Sequence, residues 1–309
     1  MHKEKVLIIK PGYSETLDGE ISMITSLGDV IRSTALLHLY KNAHVTWLVD
    51  ETAFPLLKGN PFIHRILSYN LTSILQLQSE RFDTVINLEK VPGLCAFSDS
   101  INAWRRYGFR FDPENGVALA YDSSQHVLAI CMDPEYKKTA KKYWVENLFE
   151  MVGAKLKGEG YVLGYKPKSD VIYDIGFNYD VGKKWPNKAW PMEYWKELES
   201  LIDNKYSISW QQGLKNIEEY FEWINSCNVF VTNDSLGLHI AGALNKKIIA
   251  LFGPTLASEI CVPNGIKLLP QANYNCIPCL SPRCTQKKLC MNYIEPKTVY
   301  SAIEKLLEV

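Results

Sequence analysis

Residues 228–255 read NVFVTNDSLGLHIAGALNKKIIALFGPT, and this stretch decides the fold class. A short apolar run, Val229–Val231, stops at the polar turn Thr232-Asn233-Asp234-Ser235. Small apolar residues at helical spacing follow (Leu238, Ile240, Ala241, Leu244), then a second apolar run, Ile248–Phe252, closed by Gly253-Pro254. That order predicts a strand–turn–helix–strand unit of a parallel sheet. Backbone N–H groups at the helix start, with the positive end of its dipole, suit a phosphate anion. Ser235 adds a hydroxyl there, Leu236 and Gly237 open the helix, and His239 sits one turn in. Each residue also has a plainer role. Asp234 or Ser235 serves as an N-cap in many helices, and a histidine at this depth can simply be a core residue.

Outward from this unit the chain keeps alternating. Lys5–Lys10 reads as a strand, and Gly28–Tyr40 reads as a helix after the long Pro11–Leu27 connection. His44–Val49 and Thr84–Leu88 read as strands, and Val127–Ile130 as the start of another αβ unit. Glu135–Met151 reads as one amphipathic helix with a lysine-rich face. Lys155–Asp170, dense in glycine, lysine and proline, reads as a linker. Beyond it come strand Val171–Phe177, helix Met192–Leu201, strand Tyr206–Trp210, helix Ile217–Ser226 and a final helix, Pro296–Leu307. Two doubly wound αβ domains, residues 1–160 and 170–295, are expected to face each other across a cleft.

The 309 residues are 47% hydrophobic and 22% charged with zero formal net charge, an ordinary globular balance that gives no reason to expect nucleic acid. No apolar run reaches membrane-span length, and the N-terminus lacks a signal pattern, so a cytoplasmic protein is expected, or one peripheral at the inner membrane.

Candidate chemistry falls at three places. Asp29, at the start of the first helix, suits a general base, although a capping role needs no function. Glu15, Asp18 and Glu20 in the preceding loop are rivals. In Gly182–Pro191, Lys183, Lys184 and Lys188 can neutralise a diphosphate as point charges on flexible stems. Gln212, in the loop Trp210–Gly213, is placed to contact a base or ribose. Cys276, Cys279, Cys284 and Cys290 form C-x2-C-x4-C-x5-C, a set of thiols suited to a structural zinc or iron, with disulfides as the alternative. Cys95, Cys131, Cys227 and Cys261 stand alone as small apolar residues. Trp104–Arg110 (WRRYGFR) reads as a solvated loop, or as a contact for an anionic acceptor or a membrane surface.

Three of these segments carry a resemblance. Residues 233–255 resemble the donor-site motif of glycosyltransferase family nine, the ADP-heptose lipopolysaccharide heptosyltransferases. SLGDVIRSTALLHLY (26–40) resembles that family's first-helix motif, and KKWPNKAWPMEYW (183–195) its lysine segment. The resemblance implies a GT-B fold of two Rossmann-like domains. The acceptor would lie on the first, the nucleotide sugar on the second, and the last helix (296–309) would pack back on the first. It also implies inverting transfer without a catalytic metal, Asp29 as base, Lys188 and Lys184 on phosphate, and Asp234, Ser235 and His239 at the donor. Expected partners are an ADP-heptose donor and a glycan, lipid-linked or protein acceptor. Many members have Asp-Thr-Gly where this chain has Asp234-Ser235-Leu236, its glycine displaced to Gly237. Autotransporter-type protein heptosyltransferases, and a GT-B epimerase or nucleotide-sugar-binding protein, are the alternative functions.

Overall fold

The computed structural model describes residues 3–13, 21–212 and 216–308. The chain divides into two units, Met1–Tyr165 and Lys166–Val309, so the division falls inside the stretch read as a linker.

In the first unit, β1 (Lys5–Ile9), β2 (His44–Val49), β3 (Arg65–Ser68), β4 (Arg81–Asn87), β5 (Asn102–Asp112) and β6 (Val117–Ala120) form one sheet, ordered β3-β2-β1-β4-β5-β6. β1 to β5 run parallel, and β6 pairs antiparallel with the end of β5. Val6–Ile9 are wholly buried, as a central parallel strand covered on both faces must be. The helices are α1 (Leu27–Ser33), α2 (Phe54–Leu57), α3 (Leu71–Gln78), α4 (Pro92–Ser100), α5 (Gln125–Met132), α6 (Pro134–Lys138) and α7 (Trp144–Met151). Leu77, Leu94 and Phe97 from α3 and α4 pack on Leu7, Ile9 and Val85 of the sheet.

Four expectations for this unit are corrected. The helix expected over Gly28–Tyr40 is α1 followed by a 3-10 turn, Thr34–Tyr40. There Ser33 Oγ donates to Asp29 O at 2.8 Å and Thr34 Oγ1 to Ile31 O at 2.6 Å, a back-bonding that loosens helices. The segment Glu135–Met151 is two helices. Glu146 accepts the Tyr143 N–H at 2.9 Å and starts α7 afresh. Val127–Ile130 lies inside α5, because four apolar residues do not distinguish a buried helix from a strand. Trp104–Arg110 is not a loop but the middle of β5, with Trp104 on its exposed side.

In the second unit, β7 (Tyr173–Asn178), β8 (Ile208–Trp210), β9 (Cys227–Asn233), β10 (Lys247–Leu251) and β11 (Gly265–Leu268) form a parallel sheet ordered β11-β10-β9-β7-β8. Its helices are α8 (Met192–Ile202), α9 (Ile217–Asn225), α10 (Leu236–Ala243) and α11 (Pro296–Leu307). Trp195, Leu198 and Ile202 of α8 meet Ile175, Phe177, Val229 and Val231 of the sheet in the core. α11, expected against the first unit, spends its apolar face here, with Val299, Ala302 and Ile303 in this same core. Lys205 pairs with Glu304 at 2.8 Å, and Lys247 Nζ donates to Leu306 O at 2.8 Å.

Among the described residues no helix is long and apolar enough to cross a membrane.

Candidate active site

Each sheet has one point where the strand order reverses, and in open α/β sheets ligands bind at the carboxyl ends of the strands beside that point. In the second unit it lies between β7 and β9, whose last residues are Asn178 and Asn233. Asn178 Nδ2 donates to Thr232 Oγ1 at 2.7 Å and to Ser235 Oγ at 2.9 Å, while the Tyr220 hydroxyl donates to Asn178 Oδ1 at 2.6 Å. Asn233 accepts the Trp190 N–H at 3.0 Å and donates to Tyr179 O at 2.9 Å. One side chain therefore pins both ends of the lysine-bearing loop between β7 and α8.

This arrangement delivers Lys188. Its Nζ lies 3.0 Å from Asp234 Oδ2, and Thr255 Oγ1, just past β10, donates to the same oxygen at 2.6 Å. Burial pushes the Asp234 carboxyl up. The Lys188 charge, then His239 and the Thr255 hydrogen bond outweigh burial and hold it at about 2. Lys184 and His239 are buried as well, and Lys183 is exposed.

Ser235 occupies the N-cap position of α10 but makes no side-chain capping bond, since its hydroxyl is engaged by Asn178. The first turn of α10 thus receives no hydrogen bond from its N-cap side chain, and helix starts of this kind suit an anion. The displaced glycine has a packing reason. A Cβ on Gly237 would sit 2.4 Å from the Tyr220 hydroxyl and 2.6 Å from Asn178 Nδ2. Leu236 is half-buried beside it.

Gln212 is exposed and donates to Trp210 O at 3.2 Å. Its neighbour Gln211 is the buried one, accepting the Asp180 N–H at 3.3 Å. Both line an open depression of about 460 Å³ at the end of β8, with Tyr179, Trp210, Met192 and Lys196.

In the first unit the strand order reverses between β1 and β4, and charge gathers there. Asp29, buried in α1, pairs with Arg32 and lies 3.9 Å from Lys10 Nζ, just past β1. Lys10 also meets Glu89, just past β4, at 3.1 Å. Glu89 is fully buried and accepts the Gly12 and Tyr13 N–H groups at 2.6 and 3.0 Å. The amides of the β1 loop thus already hold a carboxylate. Lys90 stands in the same field. Burial lowers its affinity for a proton, but Cys131, Glu89 and Asp29 more than reverse that. The rival bases Glu15, Asp18 and Glu20, with Gly213, lie outside the described residues.

Sequence reasoning named Lys184, Lys188, Asp234, Ser235, His239 and Asp29, but missed their neighbours Asn178, Thr255, Lys10 and Arg32, and Glu89 beside Lys10. Most of the missed residues end a strand or stand one or a few positions past one, the signal that could have found them.

The four clustered cysteines need a correction. Among the described residues no group of three His, Cys, Asp or Glu is arranged to hold a metal ion, so the expected metal centre has no support in the geometry. The thiols still share one neighbourhood. Cys290 is pushed up to about 11, by burial first and then by the other three. Their segment braces the turns at Pro254 and Asn187 instead. Leu280 N–H donates to Pro254 O at 2.8 Å, and Asn187 Nδ2 to Ser281 O at 2.8 Å. A Cβ on Gly253 would meet Met291 Sδ at 2.4 Å and Cys290 Sγ at 2.8 Å. Of the solitary cysteines, Cys95 and Cys227 are buried as expected, Cys131 is half-buried and Cys261 is exposed.

Residues 213–290 match the model of glycosyltransferase family 9 (heptosyltransferase). Lipooligosaccharide heptosyltransferase 2 of Campylobacter jejuni is 30% identical over 121 residues, covering 36% of this chain and 38% of that protein. The chain thus spans under two fifths of this curated relative's length. Among solved structures, Escherichia coli ADP-heptose lps heptosyltransferase II aligns with a TM-score of 0.67 at 18% identity, covering 98% of each chain. E. coli heptosyltransferase WaaC with ADP aligns with a TM-score of 0.67 at 14% identity, covering 98% of this chain and 99% of that one. The fold is therefore α/β of the GT-B type, and the resemblance read from the motifs is borne out.

Proposed function

We propose that this chain is an inverting heptosyltransferase, moving a heptose from an ADP-sugar to a hydroxyl of a lipopolysaccharide-type glycan. The family match and the heptosyltransferase relatives support the class, and the ADP held by one structural relative supports the nucleotide. The observation that carries the reading is Lys188 beside Asp234 at the carboxyl ends of β7 and β9, next to the uncapped start of α10.

In the proposed reaction the diphosphate lies at that helix start and the nucleoside reaches toward the depression lined by Trp210, Gln211 and Gln212. The acceptor oxygen attacks the anomeric carbon from the face opposite the diphosphate. As the new C–O bond forms, the bond to the diphosphate breaks and Asp29 takes the hydroxyl proton. Lys188, Lys184, the α10 amides and Ser235 meet the charge growing on the leaving ADP. Preorganised donors of this kind each contribute about a hundredfold in rate. No step is routed through a metal.

Incubating the full chain with ADP-heptose and a heptose-acceptor lipooligosaccharide tests this. A new glycoside with inverted anomeric configuration, released with one equivalent of ADP, is the expected product. An altered free sugar would mean epimerisation, a glycosylated polypeptide would move the acceptor to protein, and binding without product would refute transfer.

A further inference from the structure

Asn187 is more than nine-tenths buried in the 3-10 turn that ends in Lys188. Its amide is oriented by chemistry. Nδ2 donates to Ser281 O at 2.8 Å, and the flipped amide would set two oxygens against each other. This leaves Oδ1, which is buried and has no hydrogen-bond partner among the described residues. A buried amide oxygen without a donor costs about 1–3 kcal/mol, so a ligand that supplies one gains that much. Two residues earlier, Trp185 Nε1 is a buried donor without a hydrogen-bond partner among the described residues, and Lys188 Nζ lies 5.0 Å from the centre of its ring. One short turn therefore presents an unmet acceptor and an unmet donor beside the ammonium assigned to the diphosphate.

Sheet order says which part of a donor this turn meets. The depression for the nucleoside is at the end of β8, one edge of the sheet. The phosphate position is at the β7–β9 reversal. Asn187 is tied to Ser281, whose neighbour Leu280 holds Pro254 just past β10, on the other side of that reversal. A diphosphate bridging the reversal with its nucleoside toward β8 directs its sugar toward β10.

We infer that Asn187 is a specificity-determining residue, its Oδ1 accepting a hydrogen bond from a hydroxyl of the transferred sugar. The inference rests on the donor-site reading above. It makes the turn a reader of polyhydroxylated sugars rather than of the nucleotide they share.

The test compares two ligands in the same protein. Titration calorimetry gives the Kd of ADP and of ADP-heptose for the wild-type full chain and for N187A, N187D and K188A. N187A should raise the ADP-heptose Kd about tenfold, the loss of one buried hydrogen bond, and leave ADP within about twofold. N187D keeps an acceptor oxygen and should hold the ratio of the two Kd values near wild type. Equal weakening of both ligands by N187A would make Asn187 only a brace for the Ser281 loop, and unchanged affinities would mean that water meets Oδ1. Either result overturns the inference while the donor-site reading stands, provided K188A weakens both ligands. Wild-type protein that bound neither would remove the donor-site reading, and the inference with it.

Discussion

Lys188 Nζ and Asp234 Oδ2 are 3.0 Å apart, with each side chain only 10% exposed. Lys188 is therefore not a loose surface charge. It is held by an acid at the carboxyl end of the strands and can be shared with an incoming phosphate. Removing one member of such a pair strands the other, at a cost of about 3–5 kcal/mol, whereas removing both charges together costs far less. K188M should lower the melting temperature of the second unit more than the K188M/D234N double variant does. Calorimetric melts of wild type, K188M, D234N and the double variant check this, and additive effects would mean that the pair is not coupled.

The same pair sets a pH dependence. Asp234 titrates at about 2 in the folded chain, below the ordinary 3.8, so the folded state binds the proton less readily than the unfolded one. The resulting stabilisation is fully present above the ordinary value and is lost as pH falls from there through about 2. A shift of this size corresponds to about 2 kcal/mol. Melting temperature should drop between pH 5 and pH 2.5 more steeply in wild type than in D234N, which has no carboxyl to titrate. Parallel curves would assign the acid limb to other groups.

How much of this was legible beforehand depends on the range of each interaction. The alternating fold and the turn at Asp234 were visible because apolar strands ending in polar turns are local patterns. Lys188 was visible for its position in a strand-to-helix loop. Its partner was not, since Asp234 lies 46 positions along the chain from Lys188 and only the parallel sheet joins them. Asn178 and Glu89 lie one residue past the expected strands and belong to no motif, and only strand order places them at the two reversals. β5 escaped because Trp104, Arg105 and Arg110 are exposed and Arg106 is half-buried, which hides the period of two. The spacing of Cys276 to Cys290 records nearness along the chain, and the fold uses that segment as a brace for Gly253–Thr255.

Asp29 yields a test of catalysis apart from binding. D29N preserves shape and removes the proposed base, so turnover should fall about 10²- to 10⁴-fold while the Kd for ADP stays within about twofold. E89Q should weaken the Lys10 contact that reaches Asp29 at 3.9 Å, and therefore change the pH profile of turnover rather than ADP affinity. Full activity in D29N would take Asp29 out of the base role.

Gly237 connects packing to the proposed donor turn. An added methyl would lie 2.4 Å from the Tyr220 hydroxyl and 2.6 Å from Asn178 Nδ2, and these two side chains are hydrogen-bonded to each other. Neither can retreat alone without breaking that bond or releasing Ser235, which Asn178 holds at 2.9 Å. Overpacking of this kind costs about 1–3 kcal/mol, and here the strain falls on the hydroxyl proposed to meet the diphosphate. G237A should both lower the melting temperature and weaken ADP. The Y220F/G237A double variant removes the nearer obstructing atom, so it should be more stable than the sum of the single changes implies. Melting curves and ADP titrations of the three proteins decide it, and strictly additive losses would remove Tyr220 from this account.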